Sequence, residues 1–307
     1  MSKVSVAILS FNRPAYLREA LMSVLAQTMT PLEIVILDNG SDADVKEKIA
    51  DLLGGIVEWR GWEPHSSVEN FRRAFAFGRG DYVYLMHDDD RLMPRFLEEM
   101  SRELDQHPEL VAVASNGDCI DHQGKSMGAR LLHPHIGNRV FRNRAELAEL
   151  YADWFLPFPT VVYVKKHLTK VRINEEYGKQ WDAIFLCDLA EVGPISFLDR
   201  PLFEYRLHPQ QDSVVFPEPQ YRLKEDYILK AVTGTPSSRR VASVVARQRA
   251  KRGVERVGKS ILAGEGGRSF IKKVAAEGKC NLHLWLLSYL MNPPHLAKVY
   301  LHRAGFR

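Results

Sequence analysis

Cysteines and long hydrophobic segments are scarce in this chain, and each shortage argues against a class of protein. The three cysteines among 307 residues, Cys119, Cys187 and Cys280, lie far apart and form no CxxC pair. This spacing argues against a disulfide framework or a zinc site and indicates a reducing compartment. The longest apolar stretch near the C-terminus, residues 282–291, is too short to span a bilayer. The first four residues lead directly into a strand-like segment, so we expect no signal peptide.

Positive charge is concentrated at one end of the chain. Residues 230–307 carry 16 Lys and Arg against three acids, whereas the other 229 residues carry 26 Lys and Arg against 35 Asp and Glu. A basic tail of this kind suits an anionic partner, such as lipid head groups or nucleic acid. The overall composition, 45% hydrophobic and 26% charged, is that of a globular protein with one large domain or two smaller ones.

Short apolar segments alternate with helical segments through the first 115 residues. Residues with strand composition cover 4–9, 33–37, 56–59, 82–86 and 110–114, and helical spacing covers 14–25, 45–53, 67–79 and 94–107. This alternation predicts an α/β fold with a mostly parallel central sheet that is flanked by helices on both faces. In such sheets, ligands bind beyond the carboxyl ends of the strands.

Polar segments follow three of the predicted strands. They are residues 10–13, residues 38–41, and the segment His87-Asp88-Asp89-Asp90. Three adjacent acids at a strand end repel one another and lose hydration, and a hard divalent cation relieves both costs. Each segment alone can be an ordinary turn. Because all three should open on the same edge of the sheet, together they predict a site for a metal and a phosphate-bearing nucleotide.

The pattern is looser after residue 115. A hairpin turn is predicted at 121–124, and further strands are predicted at 160–164, 195–198 and 202–207. Helices are predicted at 146–155 and 181–192, and the segments from residue 220 onward have helical character. Residues 217–219 and 234–236 have the proline and glycine content of linkers.

Five segments in this order resemble the family 2 glycosyltransferases. They are Ser10-Phe11-Asn12-Arg13-Pro14, Leu37-Asp38-Asn39-Gly40-Ser41-Asp42, Gly80-Asp81-Tyr82-Val83 with the Asp triplet, Trp181-Asp182, and the stretch from Leu202 to Pro209. Members of this family are inverting enzymes of the GT-A fold that use nucleotide-sugar donors. The resemblance runs from Val4 to Ser213, about two thirds of the chain.

The resemblance implies a domain division and an activity. Residues 1–215 would form the GT-A domain, with a nucleotide-binding half at 1–115 and an acceptor half at 116–215, and residues 216–307 a basic helical extension. The enzyme would use Mn²⁺ or Mg²⁺ to transfer a sugar from a nucleotide-diphosphate donor to a glycan or lipid-linked acceptor. Such enzymes build bacterial surface polysaccharide. No nucleic-acid partner is expected.

The resemblance also implies roles for single residues. Asp182 would be the catalytic base, and Asp88, Asp90 and His208 would bind the metal. The expected nucleotide-binding residues are Ser10, Asn12, Arg13, Asp38, Asn70, Arg73, Asp88 and Asp89. Arg13, Asn70 and Arg73 can equally belong to solvated helix faces. Which two of the three adjacent acids bind the metal is left open.

The chain departs from the family pattern at three positions. His87 stands where many members have the first Asp of the DxD motif, Asn39 replaces a common second Asp, and Trp181 replaces the usual Glu before Asp182. Asp182 can therefore also be a helix cap, and His208 can be a loop histidine. His87 can be a packed histidine or one that supports a metal ligand.

Two other functions remain open at this level. A sugar nucleotidyltransferase would need a glycine-rich loop with Arg or Lys after the first strand, and residues 10–14 do not provide one. A catalytically inactive carbohydrate- or membrane-binding module on the same fold is the other.

The basic tail supports a prediction about location. Arg239, Arg240, Arg247 and Arg249 alternate with Val241, Val244 and Val245, so this segment can form a basic amphipathic helix on an anionic membrane. A solvated helix packed on the domain gives the same pattern. We expect a cytoplasmic protein with peripheral contact at the inner face of the membrane.

Overall fold

The computed structural model describes residues 3–132, 136–209, 211 and 218–262. The chain divides into two compact units, Met1–Thr235 and Pro236–Arg307. Several features of the sequence analysis lie outside the described residues. They are the predicted domain boundary at 215/216, Cys280, the apolar stretch 282–291 and the basic extension after residue 262. Among the described residues, no helix combines the length and apolar character that a membrane-spanning segment needs.

Ten described strands belong to one sheet. In chain order they are β1 (Val4–Ser10), β2 (Glu33–Asp38), β3 (Val57–Gly61), β4 (Tyr82–His87), β5 (Arg91–Leu92), β6 (Ala112–Ile120), β7 (Ser126–Arg130), β8 (Arg139–Phe141), β9 (Val161–Val164) and β10 (Ile195–Arg206). Eight of them lie in the order β3-β2-β1-β4-β9-β6-β10-β5, while β7 pairs with β6 and β8 with β10.

The described α-helices lie between these strands and after them. They are α1 (Pro14–Leu25), α2 (Ala43–Glu47), α3 (Ser67–Ala76), α4 (Phe96–Gln106), α5 (Arg144–Asp153), α6 (Lys165–Leu168), α7 (Trp181–Leu189), α8 (Glu218–Ala231) and α9 (Ser238–Leu262). Short 3₁₀ turns occupy Ala50–Leu52, Phe158–Thr160 and Glu175–Gln180. The α/β fold class with a helix-flanked sheet is confirmed.

The direction of the strands changes across the sheet. The strands β3, β2, β1 and β4 are parallel, as the alternation of strands and helices predicts. The next strand, β9, runs antiparallel to both of its neighbours, β4 and β6. Beyond it, β10 is parallel to β6 and antiparallel to β5 and β8. The sheet is therefore parallel from β3 to β4 and mixed beyond β4.

Apolar side chains cover both faces of this sheet. On one face, α1 and α4 bury residues such as Leu17, Leu21 and Met100 against alternate residues of β1, β2 and β4. On the other face, α3 and α7 contribute to an aromatic cluster in which the centroids of contacting rings are 4.6–6.2 Å apart. Its members are Phe71, Phe75, Phe158, Tyr163, Trp181 and Phe185. Burying one such side chain stabilises the fold by about 1.5–3 kcal/mol.

One pair of predicted strands is a single strand in the structure. The segments 195–198 and 202–207 join as β10, and its register against β6 shifts between Leu198 and Pro201 and again between Pro201 and Phe203. The intervening Asp199-Arg200-Pro201 has turn composition, so the sequence predicts a break. Pairing with β6 holds the chain extended on both sides, and bulges absorb the proline.

Candidate active site

The polar ends of β1, β2 and β4 lie side by side at one edge of the sheet. Ser10 pairs with Asp38, and Leu9 pairs with His87. Two backbone hydrogen bonds continue the ladder past the strand ends, from Asn39 N–H to the Ser10 carbonyl (2.9 Å) and from Asp88 N–H to the Leu9 carbonyl (3.1 Å). The predicted convergence of the three polar segments is therefore present.

Asp38 points one carboxylate oxygen inward with no protein partner among the described residues. Its Oδ2 accepts a hydrogen bond from Ser41 N–H at 3.0 Å, and its Oδ1 is buried without one. The buried hydroxyl of Ser10, its neighbour in the register, also has no hydrogen-bond partner there. Since buried polar atoms are normally paired, these two atoms are suited to contacting a polar ligand.

Asn12 links two of the converging loops. Its φ of 51° is left-handed, a conformation that asparagine adopts more readily than most residues. Its N–H donates to Ser41 Oγ at 2.9 Å, and its side-chain Oδ1 accepts from Asp42 N–H at 2.8 Å. The following Pro14 opens α1, so Arg13 is placed at the start of that helix.

Arg13 lies between the Asp triplet and the loop after β10. Its two terminal nitrogens lie 2.8 Å from Asp88 Oδ1 and 2.5 Å from Asp89 Oδ2. His208 Nε2 is 2.9 Å from the same Asp89 oxygen and 3.4 Å from the Arg13 guanidinium. Arg13 and His208, both distant in sequence from Asp88 and Asp89, therefore form one polar cluster with these two acids.

The carboxylate of Asp88 faces the guanidinium of Arg13. Its Oδ2 also accepts a hydrogen bond from Phe11 N–H at 3.0 Å. Burial raises the pKa of Asp88 to about 7, and the nearby Arg13 partly offsets that rise.

Asp90 is more deeply buried than a carboxylate normally is. Its Oδ1 accepts the N–H of Arg206 at 3.0 Å, whereas its Oδ2 has no hydrogen-bond partner among the described residues. Burial and the charge of Asp89 hold the pKa of Asp90 well above its usual range. The pKa of Asp89 is lowered instead, because His87, Arg13 and His208 outweigh the effect of its own burial.

Three side chains are close enough to share one cation. His87, Asp89 and Asp90 each offer a ligand atom, and these atoms lie within 4.8 Å of one another. The two buried carboxylates and the unpaired Asp90 Oδ2 suit a divalent cation such as Mn²⁺ or Mg²⁺. Of the predicted metal ligands, Asp90 belongs to this group, whereas Asp88 faces Arg13 and His208 contacts Asp89. His87, which was not among the predicted metal ligands, is the third member of this group. The sequence signal for it was its position, which is that of the first Asp of the family's DxD motif.

Arg73 and Asn70 lie on α3, at the side of the site near β3. The helix begins after Ser66, whose Oγ accepts a hydrogen bond from Glu69 N–H. The Arg73 guanidinium lies 5.2 Å from the ring centroid of Trp62, and Trp62 N–H donates to the Asp38 carbonyl. Arg73 is therefore close to the strand end that carries Asp38. Asn70 lies one helical turn earlier and is half-buried.

Asp182 lies in the first turn of α7. Gln180 occupies the N-cap position, and Asp182 Oδ1 accepts the N–H of Ala183 at 2.7 Å. Burial raises the pKa of Asp182 to about 6. The preceding Trp181 is buried, and its ring lies 4.6 Å from that of Phe71, which lies 6.0 Å from the ring of His87. The aromatic cluster thus connects the start of α7 to the metal-ligand group.

Arg206 is a site residue that the sequence analysis did not single out. Its guanidinium is fully buried, where it donates to the Asp89 carbonyl (2.7 Å) and to Glu19 Oε2 (2.6 Å) and lies 4.5 Å from the ring centroid of Tyr16. Its hydrogen bond to the Asp89 carbonyl holds the backbone of the Asp triplet in place. Its place two residues before His208, inside a segment that carries the family resemblance, was the available signal.

Residues 5–170 of the chain match the model of glycosyl transferase family 2. The chain belongs to glycosyl transferase family 2. An uncharacterized glycosyltransferase of Nostoc sp. is 28% identical over 216 residues, covering 67% of this chain and 65% of that protein. The chondroitin synthase of Pasteurella multocida is 24% identical over 213 residues, which cover 69% of this chain and 21% of the synthase. The chain therefore spans less than two thirds of either relative.

Solved structures confirm the fold of this family 2 member. S. aureus TarS 1-349 in complex with UDP-GlcNAc superimposes with a TM-score of 0.59 at 18% identity, covering 80% of this chain and 71% of that one. The complex of the same protein with UDP gives a TM-score of 0.55 at 16% identity, with coverage of 80% and 70%. At this level of identity, the likeness supports the GT-A fold.

Proposed function

We propose that this family 2 member is a metal-dependent inverting glycosyltransferase that moves a sugar from a nucleotide diphosphate to an acceptor hydroxyl. The observation that carries the proposal is that Asp38, Arg13 and the Asp triplet meet at one edge of the sheet. Two carboxylate oxygens there, Asp38 Oδ1 and Asp90 Oδ2, are buried without a hydrogen-bond partner among the described residues. Such an edge suits a ligand that brings hydroxyl donors and a metal-bound diphosphate.

His87, Asp89 and Asp90 would hold the Mn²⁺ or Mg²⁺ ion. When bound, the ion supplies positive charge that stabilises the diphosphate as it leaves. Arg13 ties Asp89 to the start of α1, and His208 contacts the same carboxylate. These contacts would keep Asp89 ionised and oriented for the ligand.

Asp38 and Ser10 would bind the nucleoside. Their unpaired oxygens can accept from and donate to ribose or base groups. Arg73, beside Trp62, and Asn70 would face the phosphates from α3. The UDP and UDP-GlcNAc complexes of TarS, a protein of the same fold, support a nucleotide-sugar donor.

Asp182 would take the proton from the acceptor hydroxyl. With a pKa of about 6, its carboxylate is ionised at neutral pH and is a stronger base than an exposed aspartate. Attack of the deprotonated oxygen on the anomeric carbon, opposite to the leaving diphosphate, inverts that centre in a single displacement.

The acceptor would be a glycan or a lipid-linked saccharide in surface polysaccharide synthesis. This part of the proposal rests on relatives whose names are chondroitin synthase and hyaluronan synthase, in both of which the matched region is 21% of the protein. Peripheral contact with the inner face of the membrane, through the basic residues of α9, would bring the enzyme to such an acceptor.

Donor binding is the first test of this proposal. A thermal-shift titration with UDP and Mn²⁺ should raise the Tm of the wild-type protein, because a ligand that binds only the native state stabilises it. Asp90→Asn, which keeps the shape and removes a metal ligand, should abolish the part of the shift that depends on Mn²⁺. Asp81→Asn, an exposed acid at the other end of β4, is the matched control and should behave as wild type.

Other nucleoside diphosphates in the same titration identify the base of the donor. If no nucleoside diphosphate raises Tm with or without Mn²⁺, the proposal is wrong. Binding without any turnover of a nucleotide sugar would instead favour the inactive carbohydrate-binding module. Release of pyrophosphate from a nucleoside triphosphate and a sugar phosphate would favour the nucleotidyltransferase.

A further inference from the structure

Helix α8 lies beyond the segment that matches the family model and packs against the acceptor half of the domain. Its residues, Glu218–Ala231, contact α5, α7 and the 3₁₀ turn Glu175–Gln180 that precedes α7. The proposed base, Asp182, sits between that turn and the rest of α7. The contacts of α8 therefore fall on both sides of Asp182 along the chain.

One face of α8 carries three residues that interact with α7 or with the 3₁₀ turn before it. Gln220, Lys224 and Tyr227 are four and three residues apart, the spacing that places helical side chains on one side. Gln220 Oε1 accepts the N–H of Lys179 at 3.0 Å, and Tyr227 Oη donates to Asp188 Oδ1 at 2.5 Å. Lys224 lies between them on the same face, and its positive charge partly offsets the rise that burial causes in the pKa of Asp182.

The contact of Gln220 falls at a kink in the backbone. Gly178, with φ 53° and ψ −130°, breaks the 3₁₀ turn just before α7. A methyl group at Gly178 would overlap the side-chain amide of Gln220. The amide thus packs directly on the glycine and binds the next peptide, which fixes the direction in which α7 starts.

We propose that α8 positions the catalytic base: Gln220 fixes the turn that leads into α7, and Lys224, on the same face of α8, supplies a positive charge that acts on the Asp182 carboxylate. This inference rests on the proposed function, in which Asp182 accepts the proton of the acceptor. Gln220 and Lys224 are positioning residues, since they act through Asp182 and the backbone before it.

The titratable groups that interact electrostatically with Asp182 come from four elements. They are Lys224 of α8, Tyr151 of α5, Tyr163 of β9 and Cys187 of α7 itself. Burial raises the pKa of both tyrosines and of the thiol, so these three stay neutral at physiological pH. Lys224 is the cation of this set, and its charge opposes the effect of burial on Asp182.

The pH dependence of kcat tests the role of Lys224. Removing its charge with Lys224→Met should raise the pKa of the base and move the acidic limb of the kcat profile to higher pH by on the order of one unit. The KM for the donor should not change. Lys224→Arg, which keeps the positive charge, should retain the wild-type pH profile. Lys230→Met removes the same charge from an exposed position on α8 and should leave the profile unchanged.

Amide hydrogen exchange tests the role of Gln220 without any activity measurement. Gln220→Ala removes the acceptor of the Lys179 N–H, so exchange of that amide should accelerate at least several-fold, whereas Gln220→Glu keeps an acceptor oxygen and should protect it. A global measurement of Tm separates this local effect from unfolding. Unchanged exchange at Lys179 in Gln220→Ala would overturn the backbone part of the proposal.

The results separate this inference from the proposed function. If Asp182→Asn abolishes transfer while Lys224→Met keeps the acidic limb in place, the proposed function stands and the positioning role is overturned. If Asp182→Asn retains full transfer, the glycosyltransferase activity stands, but Asp182 is not the base and the positioning role is overturned. If Lys224→Met shifts the limb and Lys224→Arg restores it, the positioning role is supported.

Discussion

Asp88, Asp89 and Asp90 are adjacent in the chain, yet their carboxylates have different surroundings. Asp88 accepts a backbone N–H and faces Arg13, Asp89 is shared between Arg13 and His208, and Asp90 keeps one oxygen unpaired among the described residues. Their pKa values are shifted accordingly, upward for Asp88 and Asp90 and downward for Asp89. Three identical residues can therefore serve separate purposes, because each meets a different local charge.

At the residue scale, the sharpest expectation concerns Asp182. Asp182→Asn keeps the size of the side chain and removes the base, so the rate of sugar transfer should fall by about 10²–10⁴-fold. Binding of the nucleotide donor, measured by calorimetry, should be unchanged. Asp226→Asn, at an exposed acid of α8, is the matched control for loss of one negative charge. Undiminished transfer by Asp182→Asn would contradict its role as base.

The pH profile of the wild-type enzyme gives a second expectation at this scale. A base must be deprotonated to act, and burial raises the pKa of Asp182 to about 6. We therefore expect kcat at saturating donor to be constant near neutral pH and to fall tenfold per unit below about pH 6. A profile that stays flat down to pH 4.5 would exclude Asp182 as the group that controls transfer.

At the scale of elements, a buried carboxylate joins the start of β1, the start of β2 and the turn before β4. Glu33 Oε1 accepts hydrogen bonds from Ser5 Oγ and from Arg79 N–H, both at 2.6 Å, and Ser5 Oγ in turn accepts Gly80 N–H at 2.9 Å. Although burial opposes it, these hydrogen bonds lower the pKa of Glu33. The network holds the parallel strands together at the edge opposite to the site.

Glu33→Gln should therefore destabilise the fold while it leaves donor binding intact. We expect the free energy of unfolding in urea at pH 7 to fall by about 1–3 kcal/mol, the cost of weakening a buried hydrogen-bonded charge. Because the folded pKa lies below the unfolded one, this stabilisation is present above the unfolded pKa and is lost as the pH falls through the folded pKa. The difference between variant and wild type should shrink correspondingly at acidic pH.

Glu58→Gln provides the comparison for this prediction. Glu58 pairs with Arg60 at the surface of β3, so the loss of its charge should change the unfolding free energy by less than about 1 kcal/mol. Equal effects of the two substitutions would contradict the importance of the buried network.

The elements differ in how far the sequence predicts them. The first four parallel strands and their helices follow from alternating apolar segments, which have clear beginnings and ends. The direction of β9 does not follow, because Val161–Val164 has the same strand composition whichever way it pairs. The union of two predicted strands in β10 also depends on a neighbour, since only pairing with β6 keeps the segment around Pro201 extended.

At the scale of the whole molecule, the basic C-terminal region is the feature to test. Arg239 and Arg247 of α9 are exposed, whereas Val241, Val244 and Val245 are buried. Any contact of this part of α9 with a membrane would then depend on its basic side chains and would be electrostatic.

The 307-residue chain should therefore float with vesicles that contain phosphatidylglycerol, fail to float with neutral vesicles, and be released by high salt. Reversing two exposed charges, with Arg239→Glu and Arg247→Glu together, should reduce this binding. The same reversal at Lys46 and Lys125, exposed residues outside the basic region, is the matched control. Absence of binding to either kind of vesicle would exclude peripheral attachment through lipid charge.

The sequence by itself determined the α/β class, the family, and the three polar segments that meet at the strand ends. These follow from local patterns, since strand and helix periodicity and the order of motifs do not depend on distant contacts. The tertiary structure decided which oxygens stay unpaired among the described residues, that His87 joins Asp89 and Asp90, that the buried Arg206 binds the Asp89 carbonyl, and that α8 packs against α7. Those depend on residues far apart in the chain, whose distances and charges exist only once the chain is folded.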